Sequence, residues 1–197
     1  MMGKGRLEAF SDGVLAIIIT IMVLELKAPT SPDIQSLVLL GPVFASYVLS
    51  FVNLGIYWNN HHHMMQATHR VNAAVLWSNL HLLFWLSLIP FATAWMGENH
   101  FAEVPTAGYG VVLLMSGIAY WILQREIIRE QGADSLVAKA VGGDLKGKLS
   151  PLMYLLAIPS AFVSQWIAGA LYVAVALMWL LPDRRIERAL AEVPAAR

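Results

Sequence analysis

The sequence contains no cysteine, which excludes disulfides, thiolate metal ligands and cysteine nucleophiles together. Charged residues make up 13% of the chain, whereas soluble domains carry roughly 25%. Basic and acidic residues are equal at 13 each, so no net charge favours binding to nucleic acid. The chain also lacks a GxSxG elbow, a P-loop, a dinucleotide fingerprint and a TVGYG filter. The chain therefore carries none of these enzyme signatures and lacks the filter sequence of an ordinary potassium channel.

Long apolar runs dominate what is present: 58% of the residues are hydrophobic, a composition typical of membrane proteins. A membrane-spanning helix needs about 20 mostly apolar residues. The last apolar block, 149–182, exceeds one span and is interrupted by Pro159 and Gln165, so we divide it into two helices. We therefore predict an all-α integral membrane protein with a single six-helix domain covering residues 1–197. The predicted helices are approximately 6–26, 36–60, 72–96, 106–130, 149–163 and 166–182.

Positive charges indicate the orientation of these helices. Every lysine and arginine except Lys27 falls at the termini, in the second or fourth connection, or in the adjoining end of the fourth helix, and the even number of helices places these segments on one side. Because cytoplasmic segments carry the excess of Lys and Arg, we predict that both termini are cytoplasmic. The external connections are then the short polar stretches 28–35 and 97–105.

The first helix combines a polar entrance with an apolar stripe. Successive residues advance about 100° around a helix, so Ile17, Thr20, Ile21 and Leu24 form one stripe about 100° wide. Asp12 falls about 220° from Ile17, on the far side. The stripe is compatible with a pore lining, although packing against protein or lipid is the commoner use of such a pattern.

The end of the second helix carries Asn59, Asn60 and three consecutive histidines, His61–His63. Consecutive histidines cannot all point one way on a helix, and no zinc-binding spacing accompanies them, so we predict no metal site. Polar groups within a membrane need hydrogen-bond partners. The third helix begins with Asn72, Asn79 and His81. We expect one or two of these histidines and asparagines to bind Ser11 or Asp12 at the cytoplasmic edge.

The R-x-x-x-F-S-D motif at Arg6, Phe10, Ser11 and Asp12 resembles the signature of the transmembrane protein 175 family of potassium channels. Further similarity to that family lies in Trp58 with His61-His62, in Leu86–Phe91 and in Trp179–Asp183. The resemblance covers nearly the whole chain. It implies a single-repeat homotetramer in which the first helix lines a central pore, with no re-entrant filter loop.

The resemblance also implies roles for individual residues. Ile17, Ile21 and Leu24 would form the hydrophobic constriction, and Thr20 would contribute to cation selectivity. A structural network would contain Arg6, Phe10, Ser11, Asp12, His61 and His62. The implied function is passive conduction of K⁺ across the cell membrane with modest selectivity over Na⁺. Potassium would be a transient occupant of the pore, with no cofactor and no nucleic-acid partner.

Two alternatives remain open from the residues alone. Asp12 and the histidines of the second helix could form a proton pathway or serve a proton-coupled transporter, since the unperturbed pKa of histidine lies near 6.5. The same residues could instead serve a membrane-embedded enzyme, which would contain metal.

Overall fold

A computed structural model describes residues 3–135, 137–138 and 145–180. Within these residues the chain is all helical and contains no strand, which confirms the all-α part of the prediction. The helices are α1 (Lys4–Leu24), α2 (Ile34–Leu39), α3 (Gly41–Gln66), α4 (Ala73–Ser87), α5 (Ile89–Glu98), α6 (Glu103–Gln131), α7 (Leu145–Ser160) and α8 (Gln165–Leu180). The predicted end of the last helix at 182 lies outside the described residues.

The predicted segment 36–60 is divided at Leu40 into the short α2 and the long α3, which continues to Gln66. Asp33 caps α2 by accepting a hydrogen bond from the Ser36 backbone N–H at 2.7 Å. Pro42 stands in the first turn of α3, where its missing N–H costs nothing. The polar run 59–63 does not end α3. His61 contacts Asn79 of α4 and His62 contacts Glu8 of α1, while Asn60 donates to the Ile56 carbonyl within α3.

A proline also divides the predicted segment 72–96. α4 ends at Ser87, and α5 begins at Ile89 with Pro90 in its first turn. Proline cannot donate the backbone hydrogen bond that would continue the helix. The two pieces nevertheless form one stretch, Ala73–Glu98, that is long and apolar enough to span a membrane.

Three stretches of the described residues meet the length and composition of a membrane span: α1, α4 with α5, and α6. α8 is also apolar but has only 16 residues. α6 packs against α4, α5, α7 and α8, whereas α1 packs against α3, α4 and α5. Only 28% of the most apolar part of α1 is buried, against 44% and 50% for the other two stretches. α1 is therefore the least enclosed of the three.

Candidate functional site

α1 has one buried and one exposed face, although both are largely apolar. The buried face packs on the rest of the chain through Leu7, Ser11, Leu15, Ile18 and Met22. Ile17 is 58% exposed, while its neighbour Ile18 is only 4% exposed. Thr20, Ile21 and Leu24 are exposed together with Ile17. These four residues therefore share one open surface, which we call the α1 stripe.

The Thr20 hydroxyl is oriented by the backbone of α1. Its Oγ1 lies 3.0 Å from both the Ala16 and the Ile17 carbonyl oxygens, to which it donates. A hydroxyl has one donated hydrogen and two acceptor lone pairs. With the hydrogen directed into the helix, the lone pairs of Thr20 are available on the α1 stripe.

A chain of buried hydrogen bonds joins α1, α4 and α3. The Asn79 side-chain amide donates to Ser11 Oγ at 2.9 Å, and Ser11 Oγ donates to the Leu7 carbonyl at 2.9 Å. His61 Nε2 lies 2.8 Å from Asn79 Oδ1, which can only accept, so Nε2 carries the hydrogen. All three side chains are almost completely buried. This chain fixes the position of α1 against the other two helices.

A second set of contacts joins α1 to α3 alone. The Trp58 indole N–H donates to Asp12 Oδ1 at 3.1 Å. His62 Nδ1 lies 3.5 Å from Glu8 Oε1, and its Nε2 lies 2.8 Å from the Gln66 amide. Asp12 is thus bonded to a tryptophan, and it is Ser11 that has the expected asparagine partner.

Arg6 and Phe10 differ from the other residues of the motif. Both side chains are exposed, Phe10 by 50%. The Arg6 guanidinium makes no hydrogen bond or ion pair with any residue in the described parts of the chain. The structure therefore brings Ser11, Asp12, His61 and His62 to the α1–α3–α4 contact and leaves Arg6 and Phe10 on the surface.

Three contributors to this contact were not predicted as site residues: Glu8, Trp58 and Gln66. Glu8 lies one helical turn before Asp12, so helical spacing placed it on the same side. No spacing pattern indicated that Trp58 binds Asp12, because a tryptophan near the end of a span is equally typical of membrane anchoring.

The acidic groups at the other end of α1 have separate surroundings. Glu25 is exposed directly after α1. Hydrogen bonds from the Ser31 hydroxyl and from Ser36 lower the pKa of Asp33, which is also exposed. Asp33 therefore remains charged at neutral pH. Within the described ranges, no three His, Asp or Glu side chains come together as a metal site would require.

The sequence model of the family described as "Endosomal/lysosomal potassium channel TMEM175" matches residues 6–90, which include the motif and α1. A protein of Chryseobacterium sp. (strain P1-3), named a potassium channel, is 54% identical over 97% of this chain and 100% of its own length. The human relative, named an endosomal/lysosomal proton channel, is 30% identical over 53% of this chain and 23% of its own length.

A solved structure extends the similarity to three dimensions. The crystal structure of a lysosomal potassium-selective channel TMEM175 homolog from Chamaesiphon minutus superposes with a TM-score of 0.80. The two sequences are 28% identical, and the match covers 91% of this chain and 97% of the other. Fold and site together define a helical membrane protein of the ion-channel class. The chain belongs to the TMEM175 family.

Proposed function

We propose that the protein is a potassium-permeable cation channel formed by four copies of the chain around a central pore. The observation that carries the proposal is the α1 stripe, an open face with a threonine hydroxyl among apolar side chains. Relatives named potassium channels, including one that is 54% identical, support the choice of ion. Potassium crosses passively, with modest selectivity over sodium.

Exposure of the α1 stripe supports its place at the pore. Leu24 is 77% exposed and Ile17 58% exposed, and a groove beside them is lined by Ile21, Pro90 and Phe91. Such a continuous apolar surface needs an occupant or a function. In the proposed tetramer Ile17, Ile21 and Leu24 form rings around the axis, and the far wall of the groove, with Pro90 and Phe91, contacts a neighbouring copy.

The constriction works by dewetting. Four Ile17 side chains held close together exclude water and therefore a hydrated cation, and a wider ring lets a partly hydrated ion pass. Four Thr20 hydroxyls, with their lone pairs free of the helix, then offer oxygen atoms in place of lost water. Glu25 and Asp33 raise the local concentration of cations at the outer mouth.

The proposed topology has six spans, formed by α1, by α2 with α3, by α4 with α5, and by α6, α7 and α8. Both termini lie in the cytoplasm, and the protein lies in the cell membrane. The distribution of lysine and arginine along the sequence supports this orientation.

A proton pathway is the alternative that the name of the human relative favours. Within the described residues of this chain, Asp12 is bonded to Trp58 and His61 to Asn79. No hydrogen bond therefore connects the carboxylate directly to the buried histidine. Because the family consists of channels, ion or proton transport is better supported than the function of a membrane-embedded enzyme.

The test is recording from purified protein in planar bilayers under a potassium gradient, a sodium gradient and a proton gradient in turn. A potassium channel gives unitary ohmic currents that reverse near the potassium equilibrium potential. A coupled transporter gives saturable flux without unitary steps, and a proton pathway responds to the pH gradient alone. Absence of unitary potassium currents at every voltage and pH would reject the proposal.

A further inference from the structure

A pocket remote from the α1 stripe lies between α3, α6, α7 and α8. It holds about 60 Å³ of space for water-sized molecules. Its walls include Tyr57, Trp121, Gln124, Tyr154 and Trp179. Among its wall residues Trp121 is 47% exposed, so this edge of the pocket, which we call the opening, reaches the protein surface.

The walls carry polar groups without protein partners. Tyr154 is 3% exposed and Gln124 is 8% exposed, yet neither side chain hydrogen-bonds to a residue in the described parts of the chain. The Tyr57 hydroxyl, on the opposite wall, likewise has no such bond. Their polar atoms are not among the fully buried unpaired atoms of the described residues, so they are open to the pocket and available to a bound group.

Other buried tyrosines in the same core show the contrast. The Tyr109 hydroxyl lies 2.9 Å from Ser50 Oγ, and the Tyr172 hydroxyl donates to the Thr106 carbonyl at 3.0 Å. The missing partners are therefore a property of the pocket and not of tyrosines in this bundle.

The charges around the opening identify the kind of occupant. The Arg125 guanidinium stacks over Trp121 at 4.1 Å, and Lys146 Nζ lies 5.9 Å from the Trp179 ring. Among the described residues, no carboxylate lines the pocket. The adjacent acid on α6, Glu126, pairs at 2.9 Å with Arg129 instead. The aromatic walls alone would also suit an organic cation, but positive charges at the opening repel one.

We propose that this pocket binds an anionic phosphate group. Tyr57 and Tyr154 can each donate an O–H hydrogen bond and Gln124 an N–H hydrogen bond to its oxygens, while Arg125 pairs with its charge. A phospholipid headgroup and free phosphate share this chemistry. The proposal does not depend on the pore, because none of these residues belongs to the α1 stripe.

The experiment titrates the purified full chain in neutral detergent and counts bound molecules by native mass spectrometry. One arm uses phosphatidylglycerol and the other inorganic phosphate. The variants are Arg125→Gln and the double change Tyr57→Phe with Tyr154→Phe, which keep side-chain shape. Arg129→Gln removes the same charge elsewhere on α6. Tyr47→Phe removes a hydroxyl that lies among Phe44 and Phe51, outside the pocket.

Each pocket variant loses a hydrogen bond or charge contact with the phosphate group, so we expect its affinity for the probe to fall about tenfold or more. Both control variants should bind like the wild type. This pattern for phosphatidylglycerol identifies a lipid site, and the same pattern for phosphate alone identifies a free-phosphate site. If neither probe binds, or if binding is equal in the pocket variants and the wild type, the proposal is wrong and the pocket holds only water. Should the double variant fold poorly, Arg125→Gln at the exposed rim decides the matter alone.

Discussion

At the scale of single residues, Thr20 is the polar member of an otherwise apolar stripe. Its hydrogen is committed to the Ala16 and Ile17 carbonyls, so in the proposed pore its lone pairs would face a passing cation. We expect Thr20→Val to lower the K⁺/Na⁺ permeability ratio roughly fivefold, since a polar contact contributes about 1 kcal/mol. Thr20→Ser keeps the hydroxyl and is expected to retain selectivity. Reversal potentials under mixed-ion gradients measure the effect, and equal ratios for the Val and Ser variants would clear Thr20 of this role.

Asn79 is the residue on which the buried contact of α1 depends most. Asn79→Ala removes the partner of His61 Nε2 and one of the two partners of Ser11. Leaving a buried donor unpaired costs about 1 to 3 kcal/mol, so we expect a lower thermal unfolding midpoint in detergent. Asn59→Ala, at an exposed position on α3, is the matched control. Equal midpoints for the two variants would show that the hydrogen-bond chain does not stabilise the fold.

The sequence predicted Ser11, Asp12, His61 and His62 as members of one network but not how they pair, and it also included Arg6 and Phe10, which lie on the surface. Ser11 and Asp12 begin the first helix, and the histidines end the second, so antiparallel packing brings them to one level. The choice of Trp58 for Asp12 depends on side-chain direction around α3. Polar residues in the same turn of α3 differ only in the direction in which their side chains point. That direction depends on how the helix is rotated against its neighbours, which a single sequence does not reveal.

At the scale of the helix, long apolar runs predicted α1 and α6 well, since each is one uninterrupted stretch. The division at Leu40 and the joint at Leu88 were not predicted, because each breaks an apolar run without a change in composition. Both have a proline two residues later, Pro42 and Pro90, which was the available signal. The two faces of α1 were also hard to separate, because Ile17 and Ile18 are chemically identical and differ only in what covers them.

Close approach of α5 to α3 depends on Gly97. A Cβ added at this position would lie 2.8 Å from Val43 Cα and would also collide with Ser46 Oγ. Because backbone cannot yield as a side chain can, we expect Gly97→Ala to destabilise the protein by about 1 to 3 kcal/mol.

Gly169→Ala on α8 is the control, since nothing lies within 4 Å of its added Cβ. Alanine favours a helix over glycine by about 1 kcal/mol, so this variant should be neutral or more stable. Thermal unfolding of both purified variants makes the comparison, and a Gly97→Ala protein as stable as wild type would show that α3 and α5 separate freely.

At the scale of the whole molecule, Arg6 and Phe10 point to contacts beyond one chain. Both are exposed at the start of α1 and make no polar contact with other parts of the described chain. We expect Arg6→Ala and Phe10→Ala to reduce the fraction of protein in the proposed tetramer without unfolding the 21.7 kDa subunit. Light scattering of the eluted protein measures the assembly. Phe162→Ala, a similarly exposed phenylalanine in the α7–α8 turn, is the control. Wild-type assembly in both α1 variants would place the subunit contact elsewhere.

The central claim is that the exposed face of α1 lines the pore, and the absence of native cysteine allows a direct test. Ile17→Cys and Ile18→Cys place one thiol on the exposed or the buried face of the same helix turn, at native exposures of 58% and 4%. A positively charged methanethiosulfonate reagent is applied during bilayer recording. We predict irreversible block of potassium current through Ile17→Cys channels and no effect on Ile18→Cys channels. Unmodified current through Ile17→Cys channels, or equal block of both variants, would contradict the account.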